Sequence, residues 1–235
     1  SEHRKYLPQE PRETDDSYDT RLSRSTVVPY LQRIEKMLSG MLVRKPVRLD
    51  DVSDLVREQL FDVDLEGNDL NVWLYQTARQ AISFGHVGVL VDAPKEGDKT
   101  RPYWVTYTPK DILGWRSEIV EGSRQLTQLR LMEQVVEPDG KYGDKIIKQI
   151  RVLERGRYEI HRKDDKKNEY RLFDEGEMSL KDKIPFAVAY SNRVGYYESR
   201  SPLYDIAELN LKHYQIQSDL DNILHISSVP LLAVF

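Results

Sequence analysis

Residues 201–226 read SPLYDIAELNLKHYQIQSDLDNILHI, and this stretch decides how the rest of the chain is interpreted. Ser201 and Pro202 are typical of a helix start, because serine caps free backbone N–H groups and proline is tolerated at the first helical position. No glycine or proline follows until Pro230. The stretch therefore predicts one helix about 37 Å long, at about 1.5 Å per residue.

The polar residues of this predicted helix recur at steps of three and four, which places them along one stripe. This polar stripe consists of Asp205, Glu208, Lys212, Gln215, Asp219 and Asn222. The neighbouring sector is apolar and holds Ile206, Leu209, Ile216, Leu220, Ile223 and Leu224. A third, mixed sector holds Ala207, Leu211, Tyr214 and Ser218. One solvent-exposed stripe beside two packing faces indicates a helix that packs between neighbours with one side on water. An ordinary amphipathic helix on a globular core is the simpler alternative.

The composition is that of a globular protein, since 39% of the 235 residues are hydrophobic and 31% are charged. This length can hold one large domain or two small ones. The formal net charge of −4 argues against a dedicated nucleic-acid binder, which carries a basic excess. The sequence contains no cysteine, which excludes disulfides and thiol catalysis. It also has no apolar run of membrane-spanning length and no apolar signal-peptide core at its start, so we expect no membrane association.

Hydrophobic periodicity predicts an α+β fold, in which N-terminal helices precede an antiparallel β meander and one long C-terminal helix follows. The meander is predicted from short polar turns that join strands near residues 125–136, 146–155, 157–162 and 169–173. Residues 109–115 predict a helical turn. The expected divisions are an extended N-terminal arm at 1–16, an α+β domain at 17–200, the long helix at 201–228 and the start of a strand at 229–235.

Two short motifs resemble ligand sites but lack the context that such sites require. Residues 62–67 match the first half of an EF-hand loop, yet Trp73 stands where the bidentate glutamate belongs. Residues 85–88 match the G-x-x-G loop of KH domains, yet a strand is predicted to follow instead of a helix. The five histidines are scattered, and no serine lies in a nucleophile elbow. We therefore predict no catalytic residue, no metal site and no cofactor, and expect a structural role rather than an enzyme.

A basic hairpin near residues 155–167 suggests an alternative function. Its basic residues are Arg155, Arg157, Arg162, Lys163, Lys166 and Lys167, and they are interleaved with Glu159, Asp164 and Asp165. Because these acids reduce the net field, a solvated hairpin is the favoured interpretation. A nucleic-acid-binding module that uses this hairpin is the competing one.

Several short motifs occur in a characteristic order along the chain. The first are Tyr6-Leu7-Pro8, Arg21-Leu22, the run GMLVRKP at residues 40–46, Gly67-Asn68-Asp69-Leu70 and residues 85–92. The later ones are Arg101-Pro102-Tyr103, Ile112-Leu113-Gly114-Trp115, Ile184-Pro185-Phe186, residues 203–211, His213-Tyr214 and Ser218-Asp219. In this order they resemble the portal proteins, or head-to-tail connectors, of tailed bacteriophages and their portal-like relatives. The resemblance extends over nearly the whole chain.

The resemblance implies a structural subunit of a homo-oligomeric ring, commonly a dodecamer, at one vertex of the virion capsid and assembled in the host cytoplasm. Double-stranded DNA passes through such rings without sequence specificity, and terminase, capsid and tail or adaptor proteins dock on them. By order along the chain, residues 17–200 resemble the wing, 201–228 the first stem helix and 229–235 the start of the clip. We therefore expect a fragment of a longer portal protein.

The resemblance also gives the faces of the long helix distinct roles. The polar stripe, from Asp205 to Asn222, is expected to face the channel, where its net charge of −2 avoids holding DNA phosphates. Ring subunits meet through heterologous interfaces, so a shared helix must pack on both sides. The residues expected to pack between subunits are Leu209, Leu211, Tyr214, Ile216, Leu220 and Ile223.

Overall fold

The computed structural model describes residues 3–93, 101–164 and 169–227 and confirms the α+β class. Its helices are α1 (His3–Tyr6), α2 (Asp15–Arg24), α3 (Tyr30–Leu42), α4 (Asp54–Gln59), α5 (Leu70–Phe84) and α6 (Tyr204–Ser227). Its strands are β1 (His86–Asp92), β2 (Tyr103–Tyr107), β3 (Ile112–Val120), β4 (Ser123–Asp139), β5 (Gly143–Glu154), β6 (Arg157–Asp164), β7 (Glu169–Glu177), β8 (Phe186–Tyr190), β9 (Arg193–Gly195) and β10 (Glu198–Ser199).

The chain forms two compact units. The helical unit comprises residues 1–41 together with 202–235, and the sheet unit comprises residues 42–201. The first helices group with the long C-terminal helix because they bond to it, as Ser25 does to Ser218.

In the helical unit, α2 and α3 both contact α6. The Ser25 hydroxyl donates to the Ser218 hydroxyl at 2.7 Å, and the Tyr30 ring meets the His213 ring edge-on at 5.4 Å. The segment predicted as an extended arm instead contains the short helix α1. Its end is held by α6, since Gln215 Nε2 donates to the Tyr6 carbonyl at 3.0 Å.

The long helix α6 begins at Tyr204, three residues later than its predicted start. The Ser201 hydroxyl donates to the Ile82 carbonyl near the end of α5, at 3.0 Å. The first turn of α6 is closed by the Ala207 N–H, which donates to the Leu203 carbonyl at 2.8 Å. The helix spans 24 residues, or about 36 Å. The predicted strand at 229–235 lies outside the described residues.

In the sheet unit, the predicted meander is confirmed as a five-stranded antiparallel sheet in the order β3-β4-β5-β6-β7. A three-stranded antiparallel sheet, β2-β1-β8, and the small pair β9-β10 complete the unit. The core draws on both larger sheets and on the 178–197 region, and it consists of Leu90, Tyr107, Leu129, Leu131, Leu153, Ile184 and Tyr197.

The predicted helical turn at residues 109–115 is wrong, because β3 begins at Ile112 and pairs with β4. The helix before β1 follows its sequence cues more closely. Asp69 caps α5 by accepting from the Val72 N–H at 2.9 Å. Gly85, with a φ of 94°, ends the helix in the left-handed region that favours glycine.

Candidate functional site

The helix α6 has a buried face and an exposed apolar face on opposite sides. Tyr214, only 3% exposed, and Ser218 lie on the buried face. At about 100° per residue, Leu209 and Ser218 point in opposite directions. The exposed apolar face consists of Leu209, Ile216, Leu220 and Ile223, with exposures of 65%, 57%, 46% and 61%. Their spacing of seven, four and three residues makes this face continuous along the helix.

Of the six residues predicted to pack between subunits, Tyr214 is placed differently. It is buried by its own chain, and this burial raises the pKa of the Tyr214 hydroxyl. Leu211 is half-buried. Periodicity grouped Tyr214 with a packing face, but it could not tell packing within the chain from packing against another copy. The four residues of the exposed apolar face are the ones accessible to a partner.

The polar stripe lies between these two faces of α6. Asp205, Glu208, Lys212 and Asp219 are exposed, while Gln215 and Asn222 are half-buried. The stripe therefore forms a continuous polar surface, with its two amides nearest the buried side.

Arg21 on α2 is the main polar anchor of α6. Its guanidinium forms a fork with Glu13, with Nε–Oε1 at 2.8 Å and Nη2–Oε2 at 2.7 Å. Nη2 also donates to the Pro8 carbonyl at 3.0 Å. Toward α6, Nη1 donates to the Ser218 hydroxyl at 3.4 Å and lies 3.6 Å from the Asp219 carboxylate. One buried side chain thus joins the N-terminal segment, α2 and α6.

The electrostatics of this anchor favour the charged forms of both partners. The hydrogen bond from Arg21 lowers the pKa of Glu13, and the same bond raises the pKa of Arg21. Sequence reasoning missed this role, although a cue was present. Tyr18, Arg21 and Ser25 are spaced by three and four residues, so they share one face of α2. The Tyr18 hydroxyl completes that face by donating to the Leu7 carbonyl at 2.6 Å.

The arginines of the basic hairpin are paired with carboxylates. Arg155 lies 2.6 Å from Glu118, and Arg157 lies 3.0 Å from Glu175. Arg162 lies 2.8 Å from Glu137 and also stacks over the Phe173 ring at 3.6 Å. Because these guanidiniums already have anionic partners, the geometry favours the solvated hairpin over a phosphate-binding surface. Lys166 and Lys167 lie outside the described residues.

A polar cluster between the two larger sheets was not predicted. Arg151 on β5 lies 2.6 Å from Asp92 on β1 and 2.9 Å from Glu133 on β4. Tyr107 and Gln149 donate to the two oxygens of Glu133 at 2.7 and 2.8 Å. Burial raises the pKa of Tyr107, and Glu133 raises it further; the carboxylates hold the pKa of Arg151 above its ordinary value despite burial. The cluster therefore ties the sheets together by opposite charges.

The carboxylates of the EF-hand-like stretch, residues 62–67, accept hydrogen bonds within their own turn. Asp62 accepts from the Gly67 N–H at 2.9 Å, and Asp64 accepts from the Glu66 N–H at 3.0 Å and from Asn68 Nδ2 at 2.7 Å. Within the described residues, no group of three or more histidine, aspartate or glutamate side chains is arranged to hold a metal ion.

The described part of the sheet unit contains a cleft of about 420 Å³ and another of about 520 Å³ beside Arg155 and Lys181; the first is lined by more apolar side chains. The lining residues of the first cleft are Gln125, Leu126, Asp182, Lys183, Ile184, Phe186, Tyr196 and Tyr197. Neither serine nor histidine is among them, so this cleft does not supply the usual nucleophile and base. Across the described ranges, every helix is too short or too polar to cross a lipid bilayer.

Comparison with known families points to α6. A family described as a domain of unknown function (DUF4055) matches residues 202–235. No curated protein matches the sequence. The matched segment contains the whole of α6.

Proposed function

We propose that the chain is part of a structural portal protein of a tailed bacteriophage, acting as one subunit of a ring at the capsid vertex. In this proposal the ring conducts double-stranded DNA during packaging and ejection, and terminase and tail or adaptor proteins dock on it. The proposal rests on the sequence resemblance together with the faces of α6.

The exposed apolar face is the observation that carries the proposal. Four large aliphatic side chains stand exposed on one side of a helix whose opposite side is anchored by Arg21 and Ser25. Contiguous apolar patches of this kind mark interaction sites. A helix that is fixed to its own subunit on one side and apolar on the other suits a heterologous contact, in which each copy presents different surfaces to its two neighbours.

The polar stripe supports the second half of the proposal. It is exposed beside the apolar face, and it carries three acids and one lysine. A wall of this charge does not neutralise phosphates, so it does not add the counterion-release affinity that would hold DNA in place. A ring structure with Asp205, Glu208 and Asp219 packed between subunits would contradict this assignment.

The test is the assembly state of the complete gene product, measured by native mass and imaged by negative-stain electron microscopy. We expect rings, and we expect the double substitution Ile216→Glu/Ile223→Glu to abolish them, because it would bury two unpaired carboxylates in every contact between neighbouring subunits. The matched control is Ile119→Glu, which changes a side chain that is 71% exposed on β3. The proposal would be contradicted if the unsubstituted protein formed no rings, or if the variant with both α6 substitutions still formed them.

A further inference from the structure

The strands β4 and β5 extend beyond their neighbours in the five-stranded sheet. The pairing of β3 with β4 ends at Leu131, and the pairing of β5 with β6 begins at Gln149. Between these limits, residues 133–139 and 143–148 pair only with each other among the described residues. We call this two-stranded projection the β4–β5 arm. At about 3.4 Å per residue it is about 23 Å long.

Both outer edges of the arm are open to another strand. Along the described residues, the outer edge of 133–139 has no strand beside it, and neither does that of 143–148. An isolated two-stranded hairpin is marginally stable, and an unpaired edge is a template for further pairing. The two edges are nearly equal in length, so the edge of one arm can pair along its whole length with the opposite edge of another arm.

The two faces of the arm differ. On one face, Glu137 is paired with Arg162 of β6 at 2.8 Å. On the other face, Val136 and Ile146 lie directly opposite each other and are 61% and 62% exposed. A β-branched cross-strand pair of this kind contributes to stability when it is covered. The exposed face of the arm thus carries an apolar pair that the described residues leave largely uncovered.

We infer that the β4–β5 arm joins copies of this chain, with the β4 edge of one arm pairing antiparallel with the β5 edge of the next. Strands 133–139 and 143–148 run in opposite directions, so the β4 edge of one arm and the β5 edge of an arm repeated beside it meet in antiparallel orientation. The register within the arm places Glu137 opposite Lys145, and the same register between copies repeats this arrangement of opposite charges. When neighbouring arms align in the same register as the strands within one arm, Val136 lies beside Ile146 of the next copy. The apolar pairs then form a continuous row across the arms.

The contact is heterologous, because each arm uses one edge for one neighbour and the other edge for the next. It adds a second contact between subunits to the proposed ring. The inference rests on the proposed function, because that function makes the partner another copy of this chain. Pro138 and Lys148 also suit an arm that is protected against pairing, since proline and lysine are common on blunted edges. The test must therefore distinguish an edge that pairs with another copy from an edge that is protected against such pairing.

The absence of cysteine from the sequence makes the experiment direct. The variants Val136→Cys and Ile146→Cys are made separately in the complete gene product, mixed in equal amounts and oxidised mildly. We expect a mixed 136–146 disulfide dimer to form at least about tenfold faster than in the control mixture of Ile119→Cys with Ile146→Cys, because paired edges hold the sulfurs at bonding distance. All three positions are exposed, so folding is preserved.

Three results would overturn the inference: a rate equal to the control, cross-linking of Val136→Cys only to itself, or cross-linking of Ile146→Cys only to itself. Imaging the same samples keeps the two proposals apart. Rings without the mixed disulfide reject the arm contact and leave the portal proposal standing. The mixed disulfide in assemblies that are not rings supports the arm contact and rejects the portal proposal.

Discussion

Replacing Arg21 by methionine is expected to destabilise the helical unit by about 3–5 kcal/mol, the usual cost of breaking a buried ion pair. The Arg21 and Glu13 side chains are only 4% and 8% exposed, so the substitution leaves the Glu13 carboxylate without its cation in a site that water barely reaches. Methionine keeps the unbranched stem, so the loss reports the charge and its hydrogen bonds rather than a cavity.

The assay can follow the two units separately. All three tryptophans, Trp73, Trp104 and Trp115, lie in the sheet unit. Urea unfolding followed by tryptophan fluorescence therefore reports that unit, while hydrogen exchange along α2 and α6 reports the helical unit. We expect Arg21→Met to lower protection in α2 and α6. The control Arg24→Met removes an exposed arginine from the same helix and should change stability by no more than about 0.5 kcal/mol.

The same ion pair gives the helical unit a defined pH dependence. The pKa of Glu13 is lowered in the folded state, so its contribution is fully present above the ordinary value of 4.5 and is lost as the pH falls through the lowered folded value. Glu13→Gln should remove that acid sensitivity. The double variant Glu13→Met/Arg21→Met should recover much of the loss, because replacing both partners leaves no buried charge. Equal effects of Arg21→Met and Arg24→Met, or no recovery in the double variant, would refute the reasoning.

Two further predictions concern the sheet unit. Gly88→Ala should cost about 1–3 kcal/mol in tryptophan-monitored unfolding, because the new methyl would lie 2.1 Å from the Phe186 ring; an unchanged midpoint would show that the ring moves freely. Arg155→Glu/Arg157→Glu should change double-stranded DNA affinity by less than about threefold at physiological salt, since both arginines already pair with glutamates; a loss of tenfold or more would favour the nucleic-acid-binding module.

Local sequence cues predicted the elements that depend on local chemistry. The long helix followed from a stretch without glycine or proline, and the meander followed from its turns. Gly140 and Gly156 take positive φ values of 71° and 73°, as tight hairpin connections require. The start of α6 was predicted three residues early, and the Ser201 hydroxyl bonds to the Ile82 carbonyl, 119 positions away, a contact that local sequence cues do not reveal.

Features that depend on distant partners could not be predicted from one sequence. Residues 109–115 have the proline, aspartate and leucine of a helical turn, yet pairing with β4 makes Ile112 and its successors a strand. The association of the first 41 residues with α6 depends on contacts such as Arg21 to Ser218, which are 197 positions apart. Tyr214 was predicted to pack between subunits, and it is buried within its own chain. Periodicity identifies a face that packs, but it does not identify the surface against which that face packs.

The polar stripe remains mildly acidic in the folded chain. Three acids and one lysine give −2, and Arg21, which lies 3.6 Å from Asp219, adds no net positive charge because it is paired with Glu13. Within the stripe, Lys212 follows Glu208 by one helical turn and offsets an acid at the same level of the helix. For a channel this balance is favourable, because a basic wall would retain DNA and a strongly acidic wall would oppose its entry. The stripe therefore keeps a small negative charge, which supports the proposal of a wall that a polyanion can pass without being captured.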